Sequence, residues 1–591
     1  MREPWRTLLV RLRTTAWIWL PLLVLAALAA PSLWFMLPSY QSELGENYEP
    51  LKTLRFAASL GADYHKYGPM TCFLLLPGYA VSLGWWWLRG SFTSPSGDFP
   101  YGLAEPLWQI SVLILQARVL FFALFLALCA LLIATLRRIV ARRASASLAF
   151  AFCIATSYGA AMLAANDRPD GPAFAFVAAA LAMYVRILTD GLRPGPACWM
   201  SAFAVFAISC KELAGPLFVL PYVGLIAHFA RETRGDAAAR SQALRCGVAS
   251  VGTGVGLYLA LNVVYAPSTW LLRMQHWLGG EGTSQAIWRS TAETPVYAFA
   301  LEHLGSLLNV LGPGGIAVAV VALATLAAKR PRHTGMLILP FVSIFLLGLI
   351  PLGLPGERFY VFAAMALVAP VAVGIDVIWS LARPGFGRGL LGFATGVALG
   401  ANALLGTFAW TALEGTWQRS VENSLAAYPM QGGALNLLSY YPRAAGKSRL
   451  RWLGYDEDLR TIFEIAADPP ERRPARIYTS EGFLGFVRDA QQSPARLEML
   501  RAEGFDAAGW QGLEPLGYHL LARFQTRTPS WFPYDWVPGV EYWSERNAVM
   551  IYERNEIPAE SDTRSEMNER ALELGGADPA IPTEAAPNET A

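Results

Sequence analysis

The stretch VLILQARVLFFALFLALCALLIATLRRIVARR (residues 112–143) joins a long apolar run to a cluster of arginines. Its apolar part, residues 112–136, is long enough to cross the hydrocarbon core of a bilayer as a helix, which takes about 20 residues. The four arginines within 137–143 are typical of a loop on the cytoplasmic side of a membrane. The stretch therefore predicts a transmembrane helix that ends in the cytoplasm.

Comparable apolar runs recur along the 591-residue chain, of which 54% is hydrophobic and only 16% is charged. Soluble domains carry nearer a quarter charged residues, so this composition indicates a polytopic α-helical membrane protein. The net charge of +2 gives no case for binding nucleic acid. With the stretch above, the runs predict about eleven transmembrane helices. The other runs lie near residues 17–36, 146–165, 171–188, 196–210, 213–230, 246–266, 312–328, 334–352, 358–381 and 388–411.

The segments between these runs alternate in their content of lysine and arginine. One set of segments holds nineteen such residues, whereas the three short loops of the other set hold one each, three in all. Because positive residues stay in the cytoplasm, this asymmetry places the N-terminus inside and the region after residue 411 outside. Usage rich in alanine and arginine suggests a bacterium of high genomic GC content, and hence its cytoplasmic (inner) membrane, with the outer face toward the periplasm or exterior.

Residues 70–87, MTCFLLLPGYAVSLGWWW, are long enough to be a further span. A crossing here would invert every later loop and turn the arginines of 137–143 outward, so we expect a helix that lies in the membrane interface. Residues 38–110 then form one large outer loop, and a second outer loop covers 267–311. The whole membrane domain is expected to span residues 1–411.

The chain changes in composition after the membrane domain. Residues 412–555 mix polar residues with short apolar stretches such as ARIYTSEGFLGFV, which predicts a small extracytoplasmic α/β domain. Residues 556–591 are acidic, rich in Pro, Ala and Glu and without aromatic residues, which predicts a disordered tail. None of the six cysteines lies after residue 411, so a disulfide framework or a cysteine-based zinc site is excluded there.

Charged residues recur in the short loops of the predicted outer face. These loops are NDRPDGP (166–172), CKEL (210–213) and GLPGERF (353–359), and residues 42–69 of the first outer loop add further acids and lysines. Ionisable groups near the membrane boundary are costly, so their concentration on one face indicates function. The alternative is that the cations reach toward lipid headgroups and the acids pair with them.

Five short motifs follow one another along the membrane domain. They are YGP before the interfacial helix, QAR in the second predicted span, RPDGPAFAF and KELAG beside two outer loops, and ERFYVFAAMALVAP at the start of the tenth span. In this order the chain resembles, over about residues 10–411, the GT-C glycosyltransferases that use a polyprenyl-phosphate sugar. This group includes the protein O-mannosyltransferases and the lipid A aminoarabinose transferase. The resemblance does not extend to the C-terminal region.

The resemblance implies a GT-C-like fold, in which the membrane helices surround an outward-facing cavity that the first outer loop closes. It implies that a sugar moves, with inversion, from a polyprenyl phosphate to a glycan, lipid or protein acceptor outside the cytoplasm. Such a reaction needs a carboxylate that accepts the proton of the acceptor hydroxyl. It also needs cations or a metal ion that stabilise the leaving phosphate.

In this family an acidic pair of the first outer loop precedes a Leu-Gly, which here is residues 60–61. The matching position is Glu49, the candidate catalytic base, but Pro50 follows it where the second acid is expected. Glu46 is the candidate second acid, and Asp63 is a further candidate substrate contact. This departure argues against a divalent metal site of the protein-mannosyltransferase kind. The alternative role of Glu49 is a favourable negative charge at a helix N-terminus.

The motif RPDGP places Asp170 at the acid that opens the fourth span in the family, where it positions substrate or contacts the acceptor. Its alternative role is again a charge at a helix N-terminus. Arg offers a planar fork to phosphate oxygens and Lys a point charge, so outer-face cations are candidates for binding the donor phosphate. These candidates are Lys66, Arg168, Lys211 and Arg358. Tyr67 and Tyr360, from the motifs YGP and ERFY, are candidate substrate contacts.

Two other functions are compatible with the sequence. A transporter or flippase of a lipid-linked glycan would need broken helices and acids near the bilayer midplane. Asp376 lies inside a predicted span, but toward its cytoplasmic end. A non-catalytic membrane scaffold with a GT-C-like fold would account for the missing acidic pair.

Overall fold

The described residues of the computed structural model form two compact units, one within 3–408 and the other within 420–555. The structure describes residues 3–30, 33, 49–59, 67–97, 100–157, 168–264, 266–278, 296–352, 357–408, 420, 423–424, 426–428, 433–435, 462–492, 494, 497–498, 501, 507–525 and 548–555. The predicted tail over 556–591 lies outside these residues.

The described part of the first unit is built almost entirely from helices. They are α1 (Glu3–Ala29), α2 (Glu49–Ser59), α3 (Met70–Leu88), α4 (Pro106–Leu136), α5 (Arg143–Phe150), α6 (Asp170–Asp190), α7 (Pro194–Cys210), α8 (Pro216–Glu232), α9 (Ala237–Asn262), α10 (Pro267–Leu278), α11 (Val296–Lys329), α12 (Pro331–Ile344), α13 (Glu357–Leu381) and α14 (Phe386–Asn402). Proline begins α4, α7, α8 and α12, since its fixed φ suits the first helical position and its missing N–H costs nothing there. Three helices continue into π-helical turns: α5 into Ala151–Ala155, α12 into Phe345–Leu349 and α14 into Ala403–Phe408.

Eight helices in the described part of the chain are long and apolar enough to cross a membrane, and four shorter apolar helices accompany them. Each of the eleven predicted runs overlaps one of these helices, and the segment 70–87 corresponds to α3. The prediction of a polytopic helical membrane protein is therefore confirmed, whereas the number of crossings and the interfacial position of α3 stay predictions. The centre of the bundle is formed by α6 and α13. In these two helices 89% and 94% of the apolar segment is buried, whereas in α9 and α14 only 11% is buried.

The segment predicted as the second outer loop, residues 267–311, contains helical structure. Helix α10 begins it, and α11 starts at Val296 and runs on to Lys329 across a break at Gly312. The glycine has φ 71° and ψ 166°, and Pro313 follows it. In the sequence the Gly-Pro pair follows the predicted loop, whereas in the structure it separates the two halves of α11.

A buried amide on α14 satisfies the backbone that this break exposes. Asn402 donates from Nδ2 to the carbonyl oxygen of Leu311 at 3.0 Å and to the carbonyl oxygen of Thr156 at 3.2 Å. Its Oδ1 accepts from the backbone N–H of Gly315 at 3.2 Å. Because the apolar core of a membrane offers no water to such groups, the amide stabilises the broken helix.

Asp376, the acid inside a predicted span, has a structural role. Its carboxylate accepts hydrogen bonds from the backbone N–H groups of Ala141 and Arg142 at 3.1 Å and 3.0 Å. The Arg142 guanidinium also pairs with it at 3.4 Å. Asp376 therefore caps the backbone ahead of α5, beside the arginines of 137–143 that are predicted to mark the cytoplasmic side.

The second unit contains a four-stranded sheet. Its strands are β1 (Gly433–Leu435), β2 (Arg476–Ser480), β3 (Tyr518–Phe524) and β4 (Val549–Arg554), in the order β1-β2-β4-β3 with β1 and β2 parallel and the other pairs antiparallel. Two helices, α15 (Ile462–Ala467) and α16 (Glu481–Gln491), contribute Ile465 and Val487 to a core with Ile477 and Tyr552. Burial raises the pKa of the Tyr478 phenol, although the nearby Arg476 opposes the rise. Helices and a mixed sheet thus occur in the region where an α/β domain is predicted.

Candidate functional site

Two of the candidate residues form an ion pair at one end of the helix bundle. Asp170 is the first residue of α6, and Lys211 directly follows the last residue of α7. The Lys211 ammonium donates a hydrogen bond to Oδ1 of Asp170, and the two side chains are 5% and 1% exposed. The extended backbone of Lys211, with φ −151° and ψ 118°, ends α7 and turns the side chain away from the helix. An acid at a helix N-terminus is favourable, so both roles predicted for Asp170 are compatible with this position.

Two aromatic rings lie close to the Lys211 ammonium. Nζ lies 4.9 Å from the centre of the Phe359 ring and 5.9 Å from the centre of the Tyr67 ring. Both distances are within the range of cation–π attraction. Asp170, Lys211 and Tyr67, which are far apart in the sequence, are thus brought together.

A second lysine, which the motifs do not mark, lies against the same tyrosine. Nζ of Lys52, on α2, is 4.8 Å from the centre of the Tyr67 ring. The Lys52 and Lys211 ammonium nitrogens are therefore no farther apart than the sum of their distances to that ring. Both residues are buried, at 7% and 4% exposure. Two lysines close to one ring in a buried place attract negatively charged groups, of which Asp170 is one.

Gly68 fixes the position of Tyr67 against the end of α7. A Cβ on this glycine would lie 2.1 Å from the carbonyl oxygen of Ser209, closer than any real contact. Only glycine allows the two backbones to approach in this way. This contact explains why the motif YGP has glycine between its tyrosine and its proline.

Arg273 on α10 joins the same cluster, although no motif marks it. The residue is 2% exposed. Its Nη2 donates to Oδ1 of Asn262 at 2.8 Å, its Nη1 donates to the carbonyl oxygen of Tyr67 at 3.3 Å, and its Nε lies 3.2 Å from Oε1 of Glu212. Asn262 in turn donates from Nδ2 to the Ser209 hydroxyl at 2.7 Å. We name Lys52, Tyr67, Lys211 and Asp170 the lysine site, and Arg273, Glu212, Asn262 and Ser209 the arginine network.

Tyr360 lies next to this cluster and is engaged in an internal hydrogen bond. Its hydroxyl bonds Nδ1 of His303, a buried residue of α11. The His303 ring also packs against Phe299, with ring centres 4.2 Å apart. Because Tyr360 follows Phe359 in α13, this pair anchors the helix start that carries the ring beside Lys211.

The remaining candidates are described in part or not at all. Arg168 is half-buried, two residues before α6. Glu49 is the first residue of α2, but its side chain and that of Arg358 lie outside the described part of the structure. Glu46, Asp63 and Lys66 also lie outside the described residues.

Some sequence signals could have indicated the residues that the motifs missed. Asn262 interrupts the apolar run LYLALNVVY, and Arg273 interrupts the apolar stretch WLLRMQHWL. Polar groups in such surroundings are costly unless they bond one another. Lys52 carries no such signal, since it lies among the other polar residues of the first outer loop.

Comparison with known proteins adds no relative. No family model matches the chain, and no curated protein is significantly similar to it. Among the residues that the structure describes, no group of three or more His, Cys, Asp or Glu side chains is arranged to hold a metal ion.

Proposed function

We propose that this protein is an integral membrane glycosyltransferase with a GT-C-like fold that moves a sugar from a polyprenyl phosphate to an extracytoplasmic acceptor. The observation that carries the proposal is the lysine site. Lys52 and Lys211 approach one tyrosine ring, and Asp170 holds Lys211 in place. A buried cationic site at the end of membrane helices suits a phosphate whose lipid chain stays in the bilayer.

The lysine site suits the charge changes of such a transfer. The bond between the anomeric carbon and the phosphate oxygen breaks, and its electron pair leaves with the phosphate. The acceptor oxygen forms the new bond to the anomeric carbon from the opposite side, and its proton passes to a carboxylate. Lys52 and Lys211 would stabilise the charge that develops on the phosphate, because fixed cations in a water-poor site act strongly on it. Asp170 would act as a positioning residue through Lys211.

The carboxylate that takes the proton is assigned to Glu49, with Glu46 and Asp63 as neighbouring acids of the first outer loop. Glu49 begins α2, one helical turn before Lys52. Residues three apart on a helix are neighbours, so a base at Glu49 would be carried on the same helix as a phosphate-binding lysine. The first outer loop would thereby supply both the base that takes the proton of the acceptor hydroxyl and a lysine that stabilises the leaving phosphate.

The distance of the site from the capped acid Asp376 supports an outward orientation of the lysine site. Phe359 and Asp376 are seventeen positions apart on α13. At the rise of an α-helix this separation is roughly 25 Å, close to the thickness of the bilayer core. Since the arginines near Asp376 mark the cytoplasmic side, the lysine site faces the periplasm or exterior of a bacterial inner membrane.

The structural role of Asp376 argues against a carrier of lipid-linked glycans. A transporter would use an intramembrane acid to bind its coupling ion or substrate. The Asp376 carboxylate instead accepts two backbone hydrogen bonds and pairs with Arg142. These partners offset the free-energy cost of burying the Asp376 carboxylate, so no transported ligand is needed for that purpose.

Native mass spectrometry of the purified protein tests the proposal. We expect a polyprenyl phosphate, with or without a sugar, to come with the protein or to bind when it is added. Lys52→Ala and Lys211→Ala should each weaken this binding about tenfold, the scale of one lost charged contact. Lys329→Ala, at the predicted cytoplasmic end of α11, is the matched control and should bind as the wild type does. Bulk phospholipid alone, even after polyprenyl phosphate is added, would contradict the proposal.

A further inference from the structure

We infer that Arg273 is the positioning residue of the lysine site, through which α10 of the second outer loop sets the affinity for the phosphate. The inference rests on the proposed function and names a residue for the same site. It starts from the fact that a fully buried guanidinium hydrogen-bonds two separate segments of the chain and forms an ion pair with a third.

Two of the three segments also build the lysine site. Nη1 of Arg273 reaches the carbonyl oxygen of Tyr67, whose ring lies beside both lysines. Nε pairs with Glu212, the residue directly after Lys211. Two of the three contacts of Arg273 therefore end on, or next to, residues that shape the lysine site.

The third contact closes a ring of interactions. Nη2 bonds Asn262 on α9, and Asn262 bonds the Ser209 hydroxyl at the end of α7. The carbonyl oxygen of the same Ser209 is the atom against which Gly68 packs. Arg273 thus bonds the backbone of Tyr67, and Ser209 packs against the next residue, Gly68. A displaced Tyr67 would move the ring that orients Lys52 and Lys211.

Lysine could not replace arginine in this network. The guanidinium is planar and presents donors in a fixed fork, whereas an ammonium on a flexible stem is a single point charge. Arg273→Lys would keep an ion pair with Glu212 but could not also reach Asn262 and the Tyr67 carbonyl oxygen. We therefore expect Arg273→Lys to preserve the fold and to lose the positioning of Tyr67.

A double-mutant cycle between Arg273 and Tyr67 tests the inference. The measured quantity is the affinity of the full-length protein for a polyprenyl monophosphate, titrated by native mass spectrometry. In the wild-type background Arg273→Lys should weaken binding about tenfold, within the range of coupled neighbouring residues. In a Tyr67→Ala background, where the ring is absent, Arg273→Lys should cause no further loss. The melting temperature of each variant is measured alongside, and Arg142→Gln, which breaks an ion pair at the other end of the bundle, is the control for general destabilisation.

The outcomes separate this inference from the proposed function. Binding by the wild type with additive effects of the two substitutions, or with no effect of Arg273→Lys, would overturn the role of Arg273 and leave the lysine site standing. A loss of affinity that merely follows the melting temperature, and that Arg142→Gln reproduces, would overturn it as well. If the wild type binds no polyprenyl phosphate, the proposed function and this inference fall together. Should Arg273→Lys not fold, Asn262→Ala is used in its place and should show the same lack of additivity.

Discussion

Lys211 and Asp170 form a buried ion pair that joins the end of α7 to the start of α6. Their side chains are 5% and 1% exposed, so neither charge is screened by water in the way that surface charges are. The pair fixes the lysine beside the Tyr67 and Phe359 rings. One interaction therefore joins two neighbouring helices and also places a cation where the proposed function needs it.

Replacing Asp170 should destabilise the protein more than replacing a surface acid would. In Asp170→Asn the Lys211 charge keeps its burial and loses a charged partner, which typically costs about 3–5 kcal/mol. We expect the free energy of unfolding, measured by denaturant titration in detergent micelles, to fall on this scale. Binding of polyprenyl phosphate should weaken too, because Lys211 is no longer held toward the Tyr67 ring.

The matched control is Asp190→Asn at the other end of the same helix. Asp190 pairs with Arg138, whose side chain is 43% exposed. An exposed pair contributes little, so this variant should unfold almost as the wild type does. An equal loss of stability in both variants would show that the Asp170–Lys211 pair has no special role.

Gly68→Ala should disrupt the lysine site because the new methyl group has no room. Its Cβ would lie 2.1 Å from the carbonyl oxygen of Ser209, so the Tyr67 backbone must move away from α7. We expect a loss of polyprenyl-phosphate affinity at least as large as that of Lys52→Ala, measured by the same titration. The control is Gly78→Ala in α3, where the added Cβ meets nothing within 4 Å and affinity should be unchanged. Wild-type affinity in Gly68→Ala would mean that Tyr67 need not be held in place.

Asn402→Ala should weaken the packing contact between α11 and α14. The substitution removes hydrogen bonds to Leu311, Thr156 and Gly315 in surroundings that offer no water. Groups left unsatisfied in this way cost about 1–3 kcal/mol each, so for three groups we expect a loss of at least about 3 kcal/mol in the free energy of unfolding. In Thr395→Ala, the control on α14, the lost hydroxyl donates to Leu391 in the same helix, and little change is expected. Equal stability of the two variants would contradict the role of Asn402.

The sequence predicts the membrane class and the helices of this protein well, because apolar runs of fixed length are its strongest signal. Each predicted run overlaps an apolar helix of the structure. The sequence does not predict the first half of α11 as a helix, because this part of the chain has no long apolar run. The residues before Gly312 include Glu302 and His303, which made the segment resemble a loop, whereas the structure buries His303 against Tyr360.

The candidate site was predicted in part. Asp170, Lys211 and Tyr67 lie in short motifs near helix ends, and the predicted topology puts them on one face of the membrane. Lys52, Arg273 and Asn262 could not be placed in this way, since they contact the site through packing between segments that are distant in the sequence. Spacing along the chain carries no record of such contacts.

The most direct test of the account is a cryo-electron microscopy structure of the protein with a polyprenyl monophosphate bound. The account predicts density for the phosphate between Lys52 and Lys211, beside the Tyr67 ring, with at least one of its oxygens within about 4 Å of each ammonium, the distance of an ion pair. The lipid chain should leave the site toward the bilayer. A phosphate bound elsewhere on the bundle, with Lys52 and Lys211 making no contact to it, would contradict the central claim.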